Sequence, residues 1–164
     1  MRKIIFIALL LLSSLSLYAV APKISFVPFT NANGDASFDQ YTFDVQDSLQ
    51  KQFIAGNADG NYEVIPFEQI TAQLQEKEIA PDNAQYETYM WQIAEELGVK
   101  YIISGNFLNQ AGKFIINTYI YDVSMKMPIT THQAKDIFVP QDNILRAVKP
   151  IFNRLKPFFE TLNG

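Results

Sequence analysis

The chain has 164 residues, 48% of them hydrophobic and 13% aromatic, which suits one packed domain plus a targeting segment and argues against disorder. It contains no cysteine, so disulfides, thiolate metal sites, cysteine nucleophiles and a cysteine-linked lipid anchor are not expected from this sequence. The formal charge is −4 with no basic run, which leaves little for a phosphate backbone or an anionic lipid surface to bind.

The elements follow in chain order. Met1-Arg2-Lys3 is a positive start, Ile4 to Leu12 an unbroken apolar run, and Ala19-Val20-Ala21 a stretch of small residues. This is the three-part layout of an export signal. Cleavage is expected after Ala19, because a cut after Ala21 would put Pro22 just past the scissile bond. The apolar run is shorter than the ~20 residues of a spanning helix, so no stable membrane insertion is expected after cleavage. Removing residues 1–19 leaves eleven basic side chains against seventeen acidic, a net of −6. An exported domain without cysteine points to a bacterium.

Lys23 to Phe29 reads as a buried strand, and Thr30 to Ala36 as a turn rich in Asn, Gly and Asp. Ser37 and Gln40 offer a capping box for a helix with Tyr41, Val45, Leu49 and Phe53 on one face, ended by Gly56. After the turn Asn57–Asn61, Tyr62 to Pro66 predicts a second strand and Glu68 to Lys77 a short helix. Pro81-Asp82-Asn83 opens a further helix over Ala84–Leu97, capped by Gly98. Val99 to Leu108 is apolar on both faces, as a central strand is. Asn109 to Gly112 predicts a tight turn, and Lys113 to Asp122 alternates as a strand. Met127 to Val139, with Pro128, Lys135 and Asp136, suits a sheet edge. Asn143 to Leu162 predicts a final helix with an apolar stripe, kinked at Pro150 and Pro157.

The fold class expected is therefore α/β: a single domain over residues 20–164, with a five-stranded mixed sheet and helices packed on it. Its order is 2-1-3-4-5, the first three strands parallel and joined by right-handed crossovers.

Three segments together resemble the amino-terminal domain of TolB and the TolB-like, FlgO-like and CsgG-like envelope domains. They are Ile24 to Asn31 with Gly34-Asp35, then Gln92 to Gly105 with its Leu97-Gly98-Val99, then Ile116 to Val123. With the intervening spacing they cover most of Lys23 to Val139. The resemblance implies a mixed-sheet α/β domain used for contacts inside the cell envelope, without catalysis. The sequence departs from it in lacking the propeller that follows in TolB, the lipidated cysteine of other relatives, and the usual hairpin glycine near Met125-Lys126.

Few residues offer chemistry. His132 is the only histidine and is read as a solvent-facing strand residue, since one histidine cannot build a usual zinc site. Asn31, Asn33 and Asp35, and again Asn57, Asp59 and Asn61, place oxygens at alternate positions. They lack the bidentate Glu of a calcium loop and read as turns. Trp91 is read as an edge-of-core residue, with a binding anchor as the alternative. Tyr119 and Tyr121 share a strand face, where stacking on a sugar and burial under the last helix explain them equally well. No catalytic residue, cofactor or metal is assigned.

The function expected is a non-catalytic, exported, periplasmic or secreted module that binds envelope proteins. The alternatives are a subunit of an outer-membrane, flagellar or secretion-associated assembly, homo-oligomeric through edge strands, and, more remotely, a small hydrolase or ligand-binding enzyme. In open α/β sheets ligands meet loops at the carboxyl ends of parallel strands, where the order reverses. That places the expected partner surface on Asn31, Asn33, Asp35 and Asn109.

Overall fold

Pro28 divides the first apolar run. It has no amide hydrogen to give to a ladder, so the strand expected over Lys23–Phe29 stops early, as β1 (Lys23–Phe26). The Val27 amide still donates to the Ile103 carbonyl at 3.1 Å. The chain then lifts away and rejoins the sheet as β2 (Thr30–Asn31). These features come from a computed structural model that describes residues 20–162. The expected export signal and its cleavage site lie outside the described residues.

The expected Ser37–Gln40 capping box does not form. Asp35 starts the helical segment instead: its carboxylate accepts from the Ser37 hydroxyl at 2.7 Å and the Ser37 amide at 2.9 Å. Those two bonds hold the Asp35 carboxyl below its usual pKa. A 3-10 turn over Ala36–Phe38 leads into α1 (Gln40–Ala55), which buries Val45, Leu49 and Phe53. Gly56 ends α1 at φ −89°, a conformation open to any residue. It is needed for closeness, since a Cβ there would overlap the Phe152 ring.

The remaining elements are β3 (Glu63–Val64), α2 (Phe67–Glu76), α3 (Tyr86–Glu96), β4 (Val99–Gln110), β5 (Lys113–Asp122), β6 (Met127–Pro140) and α4 (Val148–Thr161). The final helix is shorter than expected, because Ile144–Ala147 is a separate 3-10 turn. Pro150 falls in the first turn of α4, where amides have no intrahelical acceptor to lose, and α4 continues through Pro157. Gly98, at φ +75°, does adopt the left-handed conformation of a helix stop.

The sheet order is β3-β1-β4-β5-β6, with β2 paired to β4 beyond the break at Pro28. This is the expected order with a sixth, two-residue strand added. β1, β3 and β4 run parallel, and β4-β5-β6 form an antiparallel meander. Ile103 sits on the central strand with none of its surface exposed. β6 is an edge, as expected, and carries features that discourage a further strand: Pro128, Pro140, Lys135 and a left-handed Asp136 at φ +54°.

Each sheet face has its own core. On one, α1 and α4 enclose Phe26, Ile103, Phe107, Phe114 and Ile116. Tyr62 joins this core, donating its phenol hydrogen to the Phe53 carbonyl at 2.8 Å. Burial, with the nearby Glu160 charge, pushes the Tyr62 pKa up to about 12. On the other face, α2 and α3 pack on Val27, Val99, Ile102 and Val123.

Candidate functional site

The break at Pro28 opens a concavity. Where the chain leaves the sheet, the Pro28 carbonyl accepts from the Ser104 hydroxyl of β4 at 3.1 Å. A cleft of about 530 Å³ opens beside it, between the sheet, α2, α3 and the start of α1. Its apolar wall includes Val27, Phe67, Met90 and Ile102. Phe43 of α1 stands at the cleft with 58% of its surface exposed.

α3 supplies the other wall. Asn83 starts that helix by an Asx turn, its side-chain oxygen accepting from the Gln85 amide at 2.8 Å. Tyr86 and Met90, and beside them Glu87 and Trp91, are pairs one helical turn apart, so all four reach the same side. All four line the cleft, together with Tyr121 of β5. The Trp91 indole N–H donates to the Glu87 carboxylate at 3.5 Å, and the Trp91 and Tyr121 rings meet edge-on with centroids 6.0 Å apart. Burial raises the Tyr121 pKa, and the charges of Tyr119 and Glu87 raise it further. Burial raises that of Tyr86 as well.

The four residues expected to form a partner surface lie in β2 and the loop after it (Asn31, Asn33, Asp35) and in β4 (Asn109). Asn109 belongs to β4, not to a turn; the turn is only Ala111-Gly112. Asn31 lies in β2, and its side-chain nitrogen donates to the Asp35 carbonyl at 2.8 Å and to the Asp39 carboxylate at 2.9 Å. Asn33 reaches across to β4: its side-chain oxygen accepts from the Asn109 amide, and its side-chain nitrogen donates to the Asn109 carbonyl at 3.2 Å. The loop and β4 are thus side by side at the end of β1, and Thr30 carries the loop into the cleft wall. Much of the loop's polar capacity is spent on holding its own shape.

Other expectations need correction. His132 is half-buried rather than solvent-facing, with its ring 5.5 Å from that of Phe158. Tyr119 and Tyr121 lie on the face opposite α4, because Ile120 between them faces the α1–α4 core. Trp91 is half-buried against the α2–α3 core, yet it also lines the cleft. Among the described residues no group of three His, Cys, Asp or Glu side chains could hold a metal ion. No helix among them is long and apolar enough to cross a membrane.

The cleft was not predicted from sequence, although two of its signals are present there: a proline inside an apolar strand, and Tyr86-Glu87 repeated one turn later as Met90-Trp91.

No protein-family model matches the chain, and no curated protein sequence does. Among solved structures, it is similar to TolB from Acinetobacter baumannii, at 22% identity with a TM-score of 0.39, over 84% of this chain and 29% of that one. The Neisseria meningitidis lipoprotein GNA1162 is 11% identical with a TM-score of 0.50, over 82% of this chain and 96% of that one. The LpoB C-terminal domain from Salmonella enterica is 14% identical with a TM-score of 0.50, over 80% of this chain and 90% of that domain. The chain is therefore similar in fold to the LpoB C-terminal domain, a mixed-sheet α/β domain.

Proposed function

We propose that the chain is a non-catalytic protein-binding domain exported to the bacterial cell envelope, and that it meets its partner at the cleft between α1, α2 and α3. The observation that carries this reading is the cleft itself. It is preformed, lies at the carboxyl end of β1 where the sheet order reverses, and is lined mainly by apolar and aromatic side chains with a few polar groups at its edge. That composition suits anchoring a partner's side chain. Support for the envelope comes from the apolar segment at residues 4–12 and from the fold shared with GNA1162, a lipoprotein. Of the loop that carries Asn31, Asn33 and Asp35, only Thr30 lines the cleft; those three residues and Asn109 are proposed as a secondary, polar contact area beside it. The guards on β6 weigh against the alternative of an assembly built edge to edge.

The test is photo-crosslinking in the native bacterium. A benzoyl-phenylalanine replaces Phe43 at the cleft or, as a control, Lys149 on α4. The expected result is a mature chain in the periplasmic fraction, starting near Val20, with a defined protein adduct from position 43 and none from position 149. A full-length chain confined to the cytoplasm, or equal adducts at both positions, overturns the proposal.

A further inference from the structure

The cleft has one end that differs from the rest. Val27, Phe67, Met90 and Ile102 make an apolar wall, whereas Glu87, Trp91, Tyr86 and Tyr121 place a carboxylate among three aromatic rings. Trp91 and Tyr121 meet at an interplanar angle of 69°, so they present two walls and not a closed stack. Glu87 is bound to the edge of one ring, and its charge acts on the other. Among the described residues no lysine or arginine lines the cleft, and Glu87 is the only charged one that does. Aromatic faces carry negative potential and attract cations, most strongly where water is partly excluded. A carboxylate at the same place adds to that attraction.

On these grounds we infer that the Tyr86–Glu87–Trp91–Tyr121 end of the cleft receives the lysine or arginine side chain of a partner protein, next to an apolar partner residue seated against Phe67 and Met90. This inference rests on the protein-binding reading and names the chemistry of the partner. A long aliphatic stem ending in a charge matches the sequence of surfaces, since such a side chain covers apolar area while its head stays with polar groups. The net charge of −6 outside the first 19 residues favours a basic partner over the surface of an anionic membrane.

Trp91 is the only tryptophan of the chain, so its fluorescence reports on this end of the cleft without interference. The probes are the capped tripeptide Leu-Gly-Lys, its norleucine analogue, which keeps the stem and lacks the ammonium, and choline. The lysine peptide is expected to change Trp91 emission saturably and to bind about tenfold more tightly than the norleucine peptide. Glu87→Gln should shrink that preference without altering the thermal midpoint, because Glu87 is exposed. Equal binding of the two peptides, or no emission change with either up to its solubility limit, overturns the inference. So does choline binding more tightly than the lysine peptide, which would make the site one for a quaternary ammonium group. A crosslinked partner from position 43 together with no lysine preference would sink this inference and leave the protein-binding reading standing.

Discussion

Thr118 is a polar residue in a place that gives it nothing to do. It sits on β5 between Ile116 and Ile120, all three fully buried, and its hydroxyl has no hydrogen-bond partner among the described residues. Opposite it on β4 is Gly105, where a Cβ would overlap the Asn117 carbonyl and crowd the Phe29 ring. The strands approach so closely here that no side chain fits on one of them. A buried hydroxyl without a partner keeps its desolvation cost and gains no bond in return. Thr118→Val, which exchanges that hydroxyl for a methyl of similar size, is expected to stabilise the fold by about 1–2 kcal/mol. A urea titration at constant m-value reads this as a higher midpoint, and a lower midpoint would show that the hydroxyl has a partner. Gly105 also shows what a sequence conveys. It falls at the end of the segment that carries the family resemblance, but the reason for a glycine there is a cross-strand contact with a residue twelve positions on, which no local pattern expresses.

Among the elements, the long hairpin is the most regular and contains one strained residue. β4 and β5 pair from Tyr101–Asp122 to Gln110–Lys113, leaving a two-residue loop. Both loop residues have positive φ, Ala111 at 51° and Gly112 at 74°. Two left-handed residues make the type I′ turn that matches strand twist, whose preferred sequence is Asn-Gly. Ala111 meets the Cβ penalty of that conformation, whereas Asn tolerates it better. Ala111→Asn is expected to raise stability by about 0.5–1 kcal/mol, visible as a higher thermal midpoint. Ala111→Val should lower it, since a β-branched side chain fits that region poorly. The turn is legible in Gly112, but it begins at Ala111 and not at Asn109, because β4 runs on to Gln110. Asn109 resembles a turn residue until its strand is seen to pair it with Phe114. β1 is the reverse case: its apolar run was plain, and Pro28 within it was the mark of the break that opens the cleft. The sheet order was readable because the crossovers of parallel strands and the short links of the meander leave few alternatives. The cleft is less so, because its walls come from the segment between β1 and β2, α1, α2, α3, β4 and β5, which are far apart in sequence.

At the scale of the whole molecule, the question is how two separate cores act as one domain. The link is β4, which contributes to both. Ile103 faces the core under α1 and α4, and its neighbour Ile102 faces the core under α2 and α3; neither has exposed surface. Because the side chains alternate, every hydrogen bond that holds β4 between β1 and β5 supports both layers at once. Neither core can be lost without freeing the strand that orders the other. Ile102→Ala and Ile103→Ala each leave a cavity against a close-packed wall, and each is expected to cost roughly 2–5 kcal/mol. The stronger expectation concerns cooperativity. Trp91 reports on the α2–α3 layer, while far-ultraviolet circular dichroism reports on all the helices, including α1 and α4. In wild type and in both variants the two signals should trace the same urea transition, as a two-state domain requires. If Ile102→Ala shifts the Trp91 transition to lower urea and leaves the circular dichroism transition behind, the α2–α3 layer opens on its own. The cleft would then be wrongly described as preformed, since one of its walls could detach before the sheet does.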